Sequence, residues 1–464
     1  MPGVHIPAIP SLQFTLSSMT AVGDRKILST GEILQVAKAR FLQLSFQHRI
    51  DLSKLKHFFD ASHFNLSADE IKDVELVLLL FASAHKFASQ QIDQSIKFLS
   101  WCRFLSSPSG SPAQRLVYFF TKSLQERIDR EIGATKEEEQ GQSDQSQTTP
   151  PCANPALIAC SLKLPYIQVT QFAGIQTVIE SVASARKVHF IDLAIRSGGQ
   201  CTVLMQALAN RQGAPIELLT VTAVATAGES WQQRIQETGK RLASFAEALN
   251  IPFRFNCVMV DGIRDLKEEM FEIGRGDTAV AVFAWNILKN FRAQAEGLDS
   301  LCGVLRNLNP CAIVVAEFEA NHDATEFVER FDGAIALYGA LFDCLDDCFD
   351  RSDGDRGIVE SAVGIEIRDA VAVEGEEERV YRPMRIEEWR DYFSRVGMME
   401  LEISSSSFYQ AALLVRNFAS GESCTVDRDG KCLVTGWKGT PLLSVSAWKF
   451  YRPVKRRLNS KRFV

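Results

Sequence analysis

The sequence predicts an α/β fold in which a doubly wound, Rossmann-type sheet follows a block of helices. Short apolar runs typical of strands buried on both faces begin at VHFID (188–192) and recur along the chain. Amphipathic segments separate the runs, and this alternation favours parallel strands, right-handed crossovers and helices on both sheet faces. The last two runs, CLVTGW (432–437) and PLLSVSAW (441–448), are separated by only a few residues, so they should form an antiparallel hairpin.

Residues 30–134 predict an α-helical cap behind an N-terminal extension at 1–29. In EILQVAKARFLQLSF apolar residues recur at steps of three and four, which predicts one buried stripe: Ile33, Leu34, Ala37, Phe41 and Leu44. Ser67 and Glu70 have the spacing of a capping box at the start of another helix. In that helix VELVLLLFASA (74–84) is apolar on more than one face, so either neighbouring cap helices or a second chain must cover it.

Residues 156–452 predict the α/β core, after a flexible linker at 135–155 that is rich in Gln and Ser and ends in prolines. The further strand candidates are IELLTVTAV (216–224), FRFNCVMV (253–260), TAVAVFAW (278–285), CAIVVAEFE (311–319) and MELEIS (399–404). A basic tail at 453–464 closes the chain.

Composition excludes several classes of protein. With 46% hydrophobic residues and a net charge of −6, the chain can bury a large core and has no overall basic surplus for binding nucleic acid. No apolar run approaches the length of a membrane span. The eleven cysteines contain no C-x-x-C pair, which favours reduced thiols in an intracellular protein.

The stretch VHFIDLAIRSGGQ (188–200) lies where doubly wound sheets bind their ligands, after the first strand. A Rossmann fold that binds S-adenosylmethionine typically reads acid-x-Gly-x-Gly-x-Gly there, and Asp192 and Gly198, which precedes Gly199, fit that pattern. Ala194 and Arg196 occupy the middle glycine positions, which predicts an obstructed turn and no cofactor. Dinucleotide and P-loop glycine patterns are also absent. A methyltransferase that uses S-adenosylmethionine is therefore the second interpretation.

Other catalytic patterns are missing as well. There is no G-x-S-x-G elbow and no H-E-x-x-H motif. His189 lies within the first strand, where a packed core residue is the better interpretation than a base. His322 follows a strand end near Glu317 and Glu319, but without a nucleophile or metal ligands around it we expect a structural role in the turn. The sequence predicts neither an enzyme nor a metal site.

Several motifs resemble those of the plant GRAS transcriptional regulators, and they occur in the family's order along the chain. VHFID resembles the family's VHIID block, between apolar helices that resemble its leucine-rich regions. RVYRPMRIEEWRDYFSRVGM (379–398) is similar to the RVER-type segment, and GWKGTPLLSVSAW carries the closing SAW motif. The motif residues for which we expect a structural or interaction role are Val188, His189, Phe190, Ile191, Asp192, Gly198, Gly199, Arg330, Arg379, Arg382, Trp389, Trp437, Ser446, Ala447 and Trp448.

Three departures from the family pattern leave the subfamily open. Leu288, Lys289 and Asn290 stand where the second leucine-rich region usually has Leu-His-Arg. The PFYRE block retains little more than Phe327 and Arg330. No DELLA or VHYNP motif is present in the N-terminal part, which counts against direct regulation by a gibberellin receptor.

The resemblance implies a helical cap, joined by an inserted helical stretch near 323–350, on a core similar to a Rossmann-type methyltransferase. It also implies that the protein acts in the nucleus, catalyses no reaction and binds no cofactor. The implied partners are other GRAS proteins, in homo- or heterodimers, and DNA-binding transcription factors such as zinc-finger proteins. No contact with membranes is implied.

The basic tail leaves three interpretations open. Its cations are Lys455, Arg456, Arg457, Lys461 and Arg462, in a chain that is otherwise acidic. They could form a nuclear import signal, contact DNA phosphates or belong to a solvated terminus. Direct sequence-specific DNA binding is therefore a third functional interpretation.

Overall fold

The computed structural model describes residues 27–46, 66–133 and 162–451, apart from 214, 227–228, 275, 295, 351–352 and 376–377. Its strands are β1 Lys187–Asp192, β2 Leu218–Thr226, β3 Phe253–Val260, β4 Thr278–Trp285, β5 Ala312–Phe318, β6 Met398–Leu401, β7 Cys424–Asp429, β8 Cys432–Trp437 and β9 Thr440–Phe450. One sheet contains them in the order β3-β2-β1-β4-β5-β9-β8-β7, with β6 paired to β9.

Helices cover both faces of this sheet. The helices before the sheet are α1 Thr30–Phe46, α2 Ala68–Ala88, α3 Ile92–Leu105, α4 Pro112–Glu131 and α5 Pro165–Ser181. Those between or after strands are α6 Gly199–Ala209, α7 Glu229–Ala248, α8 Leu288–Arg292, α9 Gly297–Leu308, α10 Phe327–Cys348, α11 Gly354–Ala372, α12 Ile386–Arg395 and α13 Ser405–Val415. Short 3₁₀ turns lie at Ile263–Asp265, Glu268–Phe271 and Gly421–Ser423.

The pairing confirms the predicted fold class. Strands β1 to β5 pair in parallel, whereas β9 runs antiparallel to β5, β6 and β8. The hairpin of β8 and β9 was predicted, but β7, which extends the sheet beyond β8, was not. Its sequence, CTVDRD, contains no continuous apolar run, and Cys424 is the one residue of β7 that is buried, so the apolar pattern of a buried strand is missing.

Two apolar cores sandwich the sheet. One core joins the N-terminal helices to α5, α10 and one sheet face, and the other packs α9 and α12 on the opposite face. Helix α10 contacts α1, α2 and α4, which supports the proposal that 323–350 belongs with the cap. The linker at 135–155, the tail at 453–464 and nearly all of the extension at 1–29 lie outside the described residues.

Helix α2 is covered from within the chain. Its predicted capping box is present, with Ser67 and Glu70 bonding each other's backbone N–H groups. The segment at 74–84 is buried apart from Glu75, because α1, α3, α4 and α10 pack around it. The alternative that neighbouring helices cover this helix is therefore correct, and the alternative of a second chain on it is wrong. The exposed apolar side chains of the cap include Trp101 and Phe104 on α3.

The SAW residues lie on β9, inside the sheet rather than at its edge. Ser446, Ala447 and Trp448 are buried where β9 pairs with β5. The Trp448 ring packs on Phe393, with centroids 4.8 Å apart, and its indole N–H donates to the Ser446 hydroxyl over 2.8 Å. The tryptophan therefore anchors α12 on the sheet.

We expect Trp448→Ala to lower the free energy of unfolding by about 3–5 kcal/mol, because it leaves a cavity between β9 and α12. Urea denaturation would measure the loss. Tyr409→Ala is the matched control, since that ring is 64% exposed and its removal should cost less than about 0.5 kcal/mol. Equal stability of Trp448→Ala and the unmutated protein would contradict the anchoring role.

Candidate functional site

The carboxyl ends of the parallel strands form the candidate site. The strand order reverses between β1 and β4, and in doubly wound sheets ligands bind at this point. A cavity of about 510 Å³ lies there, bordered by the turn after β1, the ends of β4 and β5, and helices α5, α10 and α11. The predicted obstruction is thus corrected: the turn lines a cavity and does not fill it.

Arg196 explains why space remains. Its guanidinium carbon lies 4.0 Å from the centroid of the Trp285 ring, so the side chain lies along the cavity wall. This cation–π contact holds the charge against the end of β4. The glycine replacement therefore changes the lining of the crevice.

Asp192 binds its own turn. One carboxylate oxygen accepts from the Ala194 backbone N–H over 2.9 Å, and the other accepts from the Gln200 amide over 2.6 Å. Burial raises the pKa of Asp192 to about 6. Gly198 has φ of +71°, the left-handed region that glycine favours, and Gly199 then begins α6. Both carboxylate oxygens of Asp192, the acid that a cofactor would need, are therefore already bonded to Ala194 and Gln200.

The VHFID residues form the core of the sheet. His189 is buried, its Nε2 lies 2.7 Å from the Thr222 hydroxyl, and burial lowers its pKa to about 4. Val188 and Phe190 pack into one apolar core and Ile191 into the other. A neutral, hydrogen-bonded histidine matches the expected core residue.

Two glutamates at the end of β5 hold backbone N–H groups. Glu317 accepts from Ile287 over 2.8 Å and from Leu288 over 2.6 Å, and Glu319 accepts from Ile386 over 3.2 Å. Burial raises the pKa of each carboxyl to about 7. Both acids therefore fasten the segments that follow β4 and precede α12.

His322 lies in the turn after β5, as a structural element of it. Its ring packs against Tyr338, with centroids 5.6 Å apart, and neither ring nitrogen has a hydrogen-bond partner among the described residues. Burial, together with nearby cations such as Lys289, lowers the pKa of His322 to about 3. Its carbonyl accepts from Arg379.

The motif arginines hold this turn to the rest of the chain. Arg330 donates to the Ala370 carbonyl over 2.9 Å and to the Ala324 carbonyl over 2.7 Å. Arg382 donates to Asp323 over 2.6 Å, and Arg292 also pairs with that carboxylate. Although burial opposes it, these ion pairs lower the pKa of Asp323.

Lys289, at the position where Leu-His-Arg was expected, is buried and forms an ion pair with a partly exposed acid. It is 2% exposed, and its Nζ lies 2.7 Å from Glu366 of α11. The rings of Phe318 and Tyr381 flank its ammonium group at 5.4 and 5.1 Å. Sequence reasoning missed Glu366 and Trp285. A single acid on an amphipathic helix does not indicate a functional site, so Glu366 could not have been found. Trp285 could have been found, because a tryptophan that ends a strand at the switch point indicates a residue of the crevice.

Two further motif tryptophans are packing residues. Trp389 stacks on Phe393 with centroids 5.3 Å apart, and Trp437 is fully buried on β8. The tail cations, Lys455, Arg456, Arg457, Lys461 and Arg462, lie outside the described residues.

Neither a metal site nor a membrane span emerges from the part of the chain that the structure describes. Its histidines, cysteines and acids form no group of three or more suited to a metal ion. None of its helices combines the length and the apolarity needed to cross a bilayer.

Comparison with known proteins gives one family. The model of the GRAS domain family matches residues 76–449. DELLA protein RGL1 of Arabidopsis thaliana is 30% identical over 379 residues, which cover 82% of this chain and 70% of that protein. DELLA protein RGA of the same plant is 32% identical over 286 residues, covering 61% and 48%. The crystal structure of SCL7 from Oryza sativa has a TM-score of 0.70 and 24% identity, covering 81% of this chain and 99% of that one, and shows the shared fold.

Glu317 makes a testable contribution to pH dependence. Its raised pKa means that the folded state binds more protons than the unfolded state between about pH 4.5 and 7, so stability falls as the pH rises through this range. Glu317→Gln keeps an oxygen for the two N–H groups and does not ionise. We expect the free energy of unfolding of Glu317→Gln, minus that of the unmutated protein, to increase by about 2 kcal/mol from pH 5 to pH 8.

Urea denaturation across that pH range measures the difference. The exposed Glu247 supplies the control, because Glu247→Gln makes the same chemical change on a side chain that faces water. A flat difference for Glu317→Gln would mean that the carboxyl ionises as readily as in water.

Proposed function

The chain belongs to the GRAS domain family, and from that premise we propose that it is a non-enzymatic transcriptional co-regulator that acts by binding other proteins. The DELLA proteins to which it is similar are transcriptional regulators. The proposed site of action is the nucleus.

Hydrogen bonds within the protein already engage the polar groups where a catalytic residue would be sought, and this observation supports a non-catalytic role. At this edge Asp192 is held by its own turn and one oxygen of Glu317 is held by two backbone N–H groups, and within β1 His189 is held by Thr222. A general base or nucleophile must reach a substrate, and groups occupied in this way are poorly placed for that.

The proposed partners follow the family. They are other GRAS proteins and DNA-binding transcription factors such as those of the zinc-finger class. The basic tail, proposed as an import signal, would bring the chain to them, and DNA contact by the tail is the lesser proposal. Pairing with another GRAS chain needs an exposed apolar surface, and α3 supplies one in Trp101 and Phe104, whose rings lie 6.5 Å apart.

Isothermal titration calorimetry with S-adenosylmethionine tests the non-catalytic role against the methyltransferase alternative. We expect no heat of binding at millimolar ligand, because Asp192 is occupied and Ala194 and Arg196 replace the glycines that let a backbone approach the cofactor. A micromolar dissociation constant would contradict the proposal.

Light scattering over a micromolar concentration series tests self-pairing through α3. We expect Phe104→Asp to shift the mass toward the monomer without changing the melting temperature, since this side chain is exposed. Tyr409→Asp is the matched control, because Tyr409 is an exposed aromatic residue on α13. A monomeric mass for the unmutated protein throughout would remove self-pairing and leave a different GRAS chain as the partner.

A further inference from the structure

We infer that the cavity between the turn after β1 and helices α10 and α11 binds an apolar organic acid: a small molecule with a hydrocarbon body and one anionic head group. The inference does not depend on the proposed regulatory role, because it concerns binding alone. Three features of the cavity carry it: its walls, its unpartnered polar atoms and the charge at one end.

The walls fit a hydrocarbon body. The volume of about 510 Å³ falls within the range of small-molecule pockets, roughly 300–1,000 Å³. Most of the lining is apolar, and it includes Ile167, Phe172, Ile175, Phe283, Leu341 and Val363. These side chains come from α5, β4, α10 and α11, so a ligand would touch the cap helices and the sheet together. An apolar body gains by leaving water for such walls.

Unpartnered polar atoms mark where the head group binds. Trp285 is 6% exposed and lines the cavity, and its indole N–H has no acceptor among the described residues. The next residue, Asn286, also lines the cavity; the oxygen of its amide is buried without a donor, and its φ is +50°. A buried donor without an acceptor costs free energy. A carboxylate oxygen would satisfy the indole N–H, whereas the Asn286 oxygen needs a donor, such as a hydroxyl group on the ligand body.

The charge at the same end favours an anion. The Arg196 guanidinium lies against the Trp285 ring, and the N-terminus of α6, at Gly199 and Gln200, forms part of the wall. Helix N-termini and guanidinium groups both attract carboxylates. The acid in the lining, Glu366, is paired with Lys289, so its repulsion of an anion is offset.

Fluorescence titration with 1-anilinonaphthalene-8-sulfonate, an apolar aromatic sulfonate, tests the site in the full chain. We expect saturable binding of one equivalent, and displacement of the dye by dodecanoate but not by dodecanol at equal concentration. Arg196→Met should weaken binding about tenfold, because it removes the charge and keeps the apolar stem. Arg254→Met is the matched control, because this exposed arginine lies on the edge strand β3.

Two further variants keep the test decisive. Val203→Trp should abolish saturable binding by narrowing the cavity at a residue that is 41% exposed, where a larger side chain does not disturb the core. Trp285→Phe should weaken binding through loss of the indole N–H, and circular dichroism with the melting temperature reports whether each variant is folded. Unsaturable binding of the dye by the unmutated protein would overturn the inference. Binding by Arg196→Met and Val203→Trp that is as tight as binding by the unmutated protein would overturn it as well. Displacement of the dye by S-adenosylmethionine would overturn it too, and would separately count against the proposed function.

Discussion

A charged group that leaves water must find a partner inside the protein, and this constraint organises the carboxyl edge of the sheet. Asp323 is paired with Arg292 and Arg382, and Lys289 with Glu366. Each pair joins segments that are distant in sequence: the turn after β5, the segment after β4, helix α11 and the RVER-type segment. Removal of the Glu366 carboxylate would leave the ammonium group of Lys289, which is 2% exposed, without the anion that it pairs with, so these elements hold one another in place.

The same edge explains why the family motifs lie far apart in the sequence and close together in the fold. Arg330 and Arg379 bind carbonyls of the turn at 321–324, and Glu317 holds the start of α8. β9 brings the SAW residues beside β5, and Trp448 then fixes α12. The cap shares its apolar core with one face of this sheet. A change that destabilises the carboxyl edge should therefore destabilise the cap too.

Local pattern was sufficient to predict most strands, because a strand buried on both faces reads as a continuous apolar run. β3, β4 and β8 begin and end where FRFNCVMV, TAVAVFAW and CLVTGW do. β7 was missed because Cys424 is its one buried residue and its sequence, CTVDRD, contains no such run. The cavity, the Lys289–Glu366 pair and the cover over α2 depend on contacts between residues far apart in sequence, which no local pattern encodes. The altered glycine turn identified the switch point, but only the geometry shows that Arg196 lies along the wall.

We propose that polar groups at the carboxyl edge serve structure and that regulation is exerted through surfaces of the folded chain. A reporter assay in plant protoplasts, with each variant tethered to a promoter and its folded amount measured in the same cells, tests this most directly. For Asp192→Asn, Glu317→Gln, Arg382→Lys and Asp323→Asn, the account predicts that regulation of the reporter follows the amount of folded protein along one line. A variant as stable and abundant as the unmutated chain that nevertheless fails to regulate the reporter would contradict it, because its side chain would then have a chemical role at this edge.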